Sequence, residues 1–165
     1  MKKSNPSLLP TAAQVIDSSI GPLTLFESDG RLVRIDFGAT CPAAFAGREV
    51  TPLLREAMGQ FDAYFRGQLR EFSLPLAFSS TPFREKVWRA LMEIPYGEVR
   101  SYAQIAAAIG QPKACRAVGG ANHHNPLSIV IPCHRVIGAA GGLVGYGGGL
   151  AIKNALLELE RRNMT

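Results

Sequence analysis

Residues 127–136, Leu-Ser-Ile-Val-Ile-Pro-Cys-His-Arg-Val, constrain this chain more than any other stretch. An apolar run ended by proline predicts a buried strand over 127–131. That strand hands a thiol, an imidazole and a guanidinium, Cys133-His134-Arg135, to its own end. A thiol is a poor nucleophile until it loses its proton, and neighbouring basic or cationic groups favour the loss. Such a strand end would hold a reactive cysteine in an apolar pocket. The plainer reading makes Cys133 a small buried filler, a common place for a cysteine. The remaining sequence has to separate the two.

Three cysteines, Cys41, Cys115 and Cys133, are an odd number at irregular spacing. They argue against a disulfide framework and for a reducing compartment in which a thiol stays free, so a cytoplasmic location is expected. Met1-Lys2-Lys3 is followed by Pro6 and Pro10, not by the apolar core of a signal peptide. No run is long enough to span a bilayer, and no membrane partner is expected. With 165 residues the chain can bury one sizeable core or two small ones. Its charge is unevenly divided. Residues 1–78 carry eight Lys/Arg against eight Asp/Glu, and residues 79–165 carry ten against five, so the whole +5 lies in the half that holds Cys133. That bias suits a polyanionic partner; the alternative is an ordinary basic surface.

The first half reads as a small α/β unit. Apolar runs at 14–17, 23–26 and 32–37, broken at Gly21-Pro22 and Asp29-Gly30, predict an antiparallel meander. Residues 38–50, rich in Gly, Ala and Pro, predict a surface loop. Thr51-Pro52 opens a helix with Leu54, Met58, Phe61 and Phe65 on one face, ending near Gly67. Residues 72–76 include Pro75 and predict an edge strand. In the second half, Thr81 caps a helix that begins at Pro82 and aligns Phe83, Val87, Leu91 and Ile94. Ser101 opens a helix over 102–109, Gly110 closes it, and another follows over 114–122; the pair resembles a helix-turn-helix. A last amphipathic helix is expected over 152–161.

The 114–122 helix is nearly bare of bulk, with Ala114, Ala117, Gly119, Gly120 and Ala121 around one long cation, Arg116. Small residues let a backbone approach either a neighbouring helix or a DNA groove. In the second case Arg116 could act as a wedge between base pairs. Cys115 reads as filler. Residues 138–149 hold seven glycines but no Walker lysine and serine, which argues against a nucleotide cofactor. A flexible lid carrying Tyr146 onto a planar ligand fits better. His123-His124 and Cys133-His134 are adjacent pairs that cannot all face one tetrahedral ion, so no metal is expected and His123-His124 read as solvated loop histidines. Of Glu158 and Glu160, one can be a surface charge and the other an internal partner for His134; spacing does not choose between them.

The motifs Ile131-Pro132-Cys133-His134-Arg135-Val136, Arg116-Ala117-Val118-Gly119, Asn125-Pro126 and Gly145-Tyr146-Gly147-Gly148-Gly149 together resemble the O6-alkylguanine-DNA alkyltransferases, of the bacterial stand-alone type. The resemblance runs from Ser19 to the final helix. It implies an N-terminal α/β domain with a ribonuclease-H-like sheet, residues 1–78. A mainly α C-terminal domain with a helix-turn-helix, residues 79–165, would bind DNA and hold the active site. The implied activity is irreversible transfer of an alkyl group from O6 of guanine in DNA, less efficiently from O4 of thymine, to Cys133. Minor-groove binding and base flipping would precede it.

Carried over by position, His134 is a water-mediated base and Glu160 its orienting partner. Tyr102 helps rotate the backbone phosphate and gives a proton to the leaving guanine. Arg116 enters the base stack, with Ala114 and Gly119 on the same DNA-binding helix. Asn125 ties the helix-turn-helix to the active-site loop. Tyr146 and Lys153 line the guanine pocket, and the backbone at Val136 and Gly147 reads the base edge. No cofactor is implied. The partner is double-stranded DNA containing O6-alkylguanine, and the protein is expected to be monomeric in solution and able to bind cooperatively along DNA.

Some features depart from the family. The zinc ligands of animal relatives are missing, since Cys41 stands alone in its half, and the metal-binding adaptive-response domain of some bacterial relatives is not expected here. Gly147 lies where some relatives have serine, which removes a side-chain hydrogen bond to the base. Two rival readings exist. Alkyltransferase-like binding modules replace the acceptor cysteine, usually with tryptophan, and Cys133 speaks against them. A cysteine hydrolase using Cys133 and His134 would turn over, whereas a thioether is not hydrolysed and an alkyltransferase reacts once.

Overall fold

Asp29 and Gly30 both take positive φ, 47° and 79°, which a two-residue hairpin turn requires. They join β2 (Leu23–Ser28) to β3 (Arg31–Phe37), and β1 (Ala12–Ile16) pairs with the other edge of β2, giving the expected antiparallel meander. The computed structural model describes residues 8–164 and divides into two units between Ser80 and Thr81. In the first unit β2 is buried on both faces. Phe26 meets Ala13, Val33 and the loop residues Cys41 and Phe45, and α1 (Pro52–Phe65) lies against the sheet. Thr51 caps α1 by accepting from Leu54 N and donates its hydroxyl to the Glu27 carboxylate, so one side chain stitches helix start to sheet.

Two expectations for this unit need correcting. The buried face of α1 holds Leu54, Ala57, Phe61 and Tyr64, whereas Met58 and Phe65 are only half-buried. Ala57 and Tyr64 lie three residues after Leu54 and Phe61, so the apolar stripe is rotated from the one drawn on bulk alone. Residues 72–76 form no edge strand. Pro75 has no N–H to give, and the pairing reduces to a bridge in which Leu32 N donates to Pro75 O at 2.9 Å and Ala77 N to Leu32 O at 3.0 Å.

The second unit is helical. Thr81 caps α2 (Pro82–Met92), with Pro82 in its first turn. Strand β4 (Arg100–Ser101) runs into α3 (Tyr102–Ala108), whose start is fixed by a capping box between Ser101 and Gln104. Gly110, at φ 76°, turns the chain toward α4 (Cys115–His123), and α3 packs on α4. Trp88 Nε1 donates to Ala121 O at 2.8 Å and fixes α2 to α4. A two-residue strand, β5 (Val136–Ile137), pairs in parallel with β4 and brings the start of α3 beside the segment that follows Cys133. The last helix, α5 (Leu150–Arg162), buries Lys153, Leu156, Leu157 and Glu160. Among the described residues no helix is long and apolar enough to cross a membrane.

Candidate active site

The apolar run before Cys133 is a turn, not the strand its composition predicts. Ile129 has φ 77°, which β-branched side chains rarely adopt, and Ile131 N closes on Leu127 O at 2.8 Å. Asn125 brackets the turn: its Oδ1 accepts from Leu127 N at 2.9 Å and its Nδ2 donates to Ile131 O at 2.8 Å. Leu127, Ile129 and Ile131 are all buried, so packing overrides strand propensity. Pro132 follows at φ −80°, ψ 63°, and Cys133 N reaches back to Ile131 O at 2.8 Å, an inverse γ-turn. One 3-10 turn, Cys133–Arg135, then leads into β5.

That short turn buries His134 and Arg135 against one carboxylate. His134 Nε2 lies 2.8 Å from Glu160 Oε1. Arg135 grips the same group, Nη2 to Oε1 at 2.8 Å and Nε to Oε2 at 2.9 Å, while its Nη1 donates to Ile94 O at 2.7 Å. Gly97 N adds a longer bond to Oε2 at 3.3 Å. Glu158 sits on the exposed side of α5 and pairs with Arg162. Burial pushes the Glu160 carboxyl up, but hydrogen bonds from His134 and Arg135 outweigh it and hold it at about 2. Burial also pulls His134 below its ordinary value, against the attraction of Glu160. His134 is therefore neutral near pH 7, and the ionised Glu160 assigns its one proton to Nε2. Nδ1 is buried with no hydrogen-bond partner among the described residues, so its lone pair is open.

Cys133 lines a cavity of about 190 Å³. Tyr102 of α3, Gly119, Asn122 and His123 of α4, and the Val144–Gly147 segment form the rest of its wall. Val144 O is the anchor of that segment, accepting from Lys153 Nζ at 2.9 Å and from Tyr102 OH at 3.3 Å. Lys153 also donates to Val136 O at 2.6 Å. Lys153 and Val136 are fully buried behind the wall, while Tyr146 and Gly147 belong to it. Gly119 faces the ring of Tyr102, which would lie 3.9 Å from an added Cβ. Arg116 is exposed on α4, and Ala114 is half-buried at the helix start.

Burial raises the Cys133 thiol, opposed by hydrogen bonds with Asn125 and Ser128 and by the Lys153 charge. Burial raises the Tyr102 phenol and pushes that of Tyr146 well up, each helped by Cys133, and it lowers Lys153. The Cys133 thiol is thus protonated at rest, and next to it in sequence stands a neutral imidazole with an open lone pair.

Residue pattern marks neither Asn122 as a cavity residue nor the grip of Arg135 on Glu160, and His123, expected in a loop, is the last residue of α4 and lies on the cavity wall. For Arg135 a signal existed, since a guanidinium inside an apolar motif requires a carboxylate. Val144 acts through its carbonyl, which leaves no mark in a residue pattern.

Comparison with known proteins meets the same two units. Residues 12–78 match the ribonuclease-like domain of 6-O-methylguanine DNA methyltransferase, and residues 82–162 match its DNA binding domain. The chain belongs to the 6-O-methylguanine DNA methyltransferase family. A methylated-DNA–protein-cysteine methyltransferase of Methanosarcina barkeri is 48% identical over 155 residues, covering 91% of this chain and 97% of that protein. The constitutive enzyme of Bacillus subtilis is 47% identical, covering 88% and 92%. The crystal structure of Mycobacterium tuberculosis OGT in complex with DNA is similar at TM-score 0.85 and 48% identity, covering 92% of this chain and 94% of that one.

Proposed function

We propose that this protein repairs O6-alkylguanine in double-stranded DNA by taking the alkyl group onto Cys133, once per molecule. The observation that carries the reading is the position of Cys133 on a cavity wall, beside a neutral His134 whose Nε2 is held by buried Glu160. As Cys133 Sγ attacks the saturated alkyl carbon, His134 Nδ1 takes the thiol proton through a water. The bond from that carbon to O6 breaks, its electron pair enters the guanine ring, and Tyr102 gives the ring a proton. Tyr102 recovers a proton from solvent and His134 releases one. The net change replaces the thiol hydrogen by alkyl and leaves guanine in its N–H form.

Residues 79–165 would bind DNA through α4. Arg116 is the exposed cation that can enter the stack, and small residues at Ala114 and Gly119 permit close approach. Asn125 links the end of α4 to the cysteine turn, so DNA held by α4 is in register with the thiol. Tyr146 and Gly147 would face the flipped base, with Lys153 fixing the wall through Val136 O and Val144 O. O4-alkylthymine would be a poorer substrate, and residues 1–78 would support the active domain. A monomer in a reducing cytoplasm suits a free thiol.

A cysteine hydrolase is the competing reading. With lesion-bearing duplex in excess, removal should stop when the lesions lost equal the protein added. Removal that continues past that point would establish turnover and overturn the proposal.

A further inference from the structure

Gly97 N, His134 and Arg135 all converge on the Glu160 carboxylate, and of these His134 has a place in the chemistry above. Arg135 has none, yet it occupies Glu160 more fully than His134 does. Its Nη2 and Nε take one oxygen each, at 2.8 and 2.9 Å, while Nη1 is spent on Ile94 O at 2.7 Å, the carbonyl that follows α2. The guanidinium is therefore locked at three points. It shares Oε1 with His134 Nε2, so both donors lie 2.8 Å from a single oxygen. All of this lies out of bulk solvent: Glu160 and His134 are fully buried and Arg135 is 7% exposed.

We propose that Arg135 is a positioning residue that holds Glu160 with both oxygens occupied and thereby fixes His134 as a neutral imidazole with Nδ1 open for the Cys133 proton. The proposal rests on the alkyl-transfer reading and deepens it. A carboxylate facing a histidine alone in a dry core would favour the imidazolium, because opposite charges attract strongly there. A doubly protonated ring has no lone pair to offer. Arg135 neutralises that pull while leaving Oε1 able to orient the ring. Burial is the largest influence that lowers His134, and the charges of Arg135 and Lys153 act in the same direction.

The charged groups that act on His134 are Glu160 and Lys153 from α5 and Arg135 on its own turn. From α2, which packs on this turn, the buried residues are Val87, Trp88 and Leu91, none of them charged. A lysine would not substitute fully, since an ammonium cannot span both carboxylate oxygens and the Ile94 carbonyl as a planar fork does.

The test is a histidine NMR titration of the whole protein, whose three histidines make the signals separable. In the parent, His134 should stay neutral below the ordinary histidine range and carry its proton on Nε2. In Arg135→Gln its midpoint should rise by about one pH unit or more. The rate with free O6-benzylguanine should then fall several-fold at neutral pH and recover as pH rises. A folded Arg135→Gln with unchanged His134 midpoint and tautomer overturns the proposal. If that variant does not fold, Arg135→Lys is read the same way and should give a smaller rise. A titration superimposable on the parent's is again fatal. The two readouts separate the claims. Should the His134 midpoint move while the reaction's pH profile does not, Arg135 keeps its role and His134 loses its own as the base.

Discussion

The two units bury polar side chains to different ends. In the first, Thr24 bonds Gly38 O and Thr40 N, Glu27 bonds Gly30 N and the Thr51 hydroxyl, and Gln60 bonds Ser73. These groups close turns and caps, mostly through the backbone. In the second, the buried set adds His134, Arg135, Lys153 and Glu160, every one ionisable, and the free thiol of Cys133 sits among them. Removing several charges from water is costly and is no efficient route to stability. Buried polarity alone is therefore a poor guide to function. A buried ionisable cluster beside a cavity is a better one.

The largest expected difference lies in the cysteines. Cys133→Ser should abolish alkyl transfer altogether, whereas Cys41→Ser and Cys115→Ser should leave the number of lesions repaired per chain unchanged. Next comes stability. Glu160→Gln strands Arg135 and should cost about 3–5 kcal/mol in chemical denaturation. Glu27→Gln in the first unit removes only a charge-assisted bond to neutral donors and should cost about 1–2 kcal/mol. Trp88, the single tryptophan, reports the second unit, and hydrogen exchange reports the first. Equal costs would erase the contrast.

Acid should separate the units further. Glu160 titrates at about 2 in the folded protein against an ordinary 4.5. A depressed carboxyl stabilises the fold above its unfolded value, and that contribution drains away as pH falls from about 4.5 to about 2, on the order of 3 kcal/mol. His134, held below 6.5, acts with the same sign at higher pH. Below about 6.5 the unfolded chain takes up a proton that the folded chain refuses, so stability drops there first. Trp88 fluorescence should therefore show loss in two stages, and His134→Gln should remove the upper one. Loss confined to pH below about 4.5 in the parent would contradict a buried neutral His134. The smallest effect concerns Arg116. Arg116→Ala should slow repair of duplex lesions by roughly tenfold or more and reaction with free benzylguanine by less than about twofold, since only the duplex needs base flipping. Equal losses would make Arg116 structural.

Much of the fold was legible where the signal is local. Asp29-Gly30, Thr51-Pro52 and Thr81-Pro82 each dictate a turn or cap by their own chemistry, and each is found where the residues say. The capping box at Ser101 and Gln104 is local chemistry of the same kind. Failures came where distant partners decide. Residues 127–131 have strand composition, but the bracket made by Asn125 and the positive φ of Ile129 impose a turn. Residue pattern could not choose Glu160 over Glu158, because the choice depends on which side of α5 meets the cysteine turn. The family resemblance named Glu160, and the geometry shows that carboxylate buried against His134. The Lys153 side chain is buried and holds two carbonyls, Val136 O and Val144 O, a role that residue pattern does not display.

Peptide mass spectrometry after incubation with excess duplex containing O6-methylguanine tests the central claim most directly. Each chain should gain the mass of one methyl group, found only on the peptide that carries Cys133, in step with loss of the lesion. An unmodified Cys133 peptide with the lesion intact, or the methyl group on Cys41 or Cys115, would contradict it.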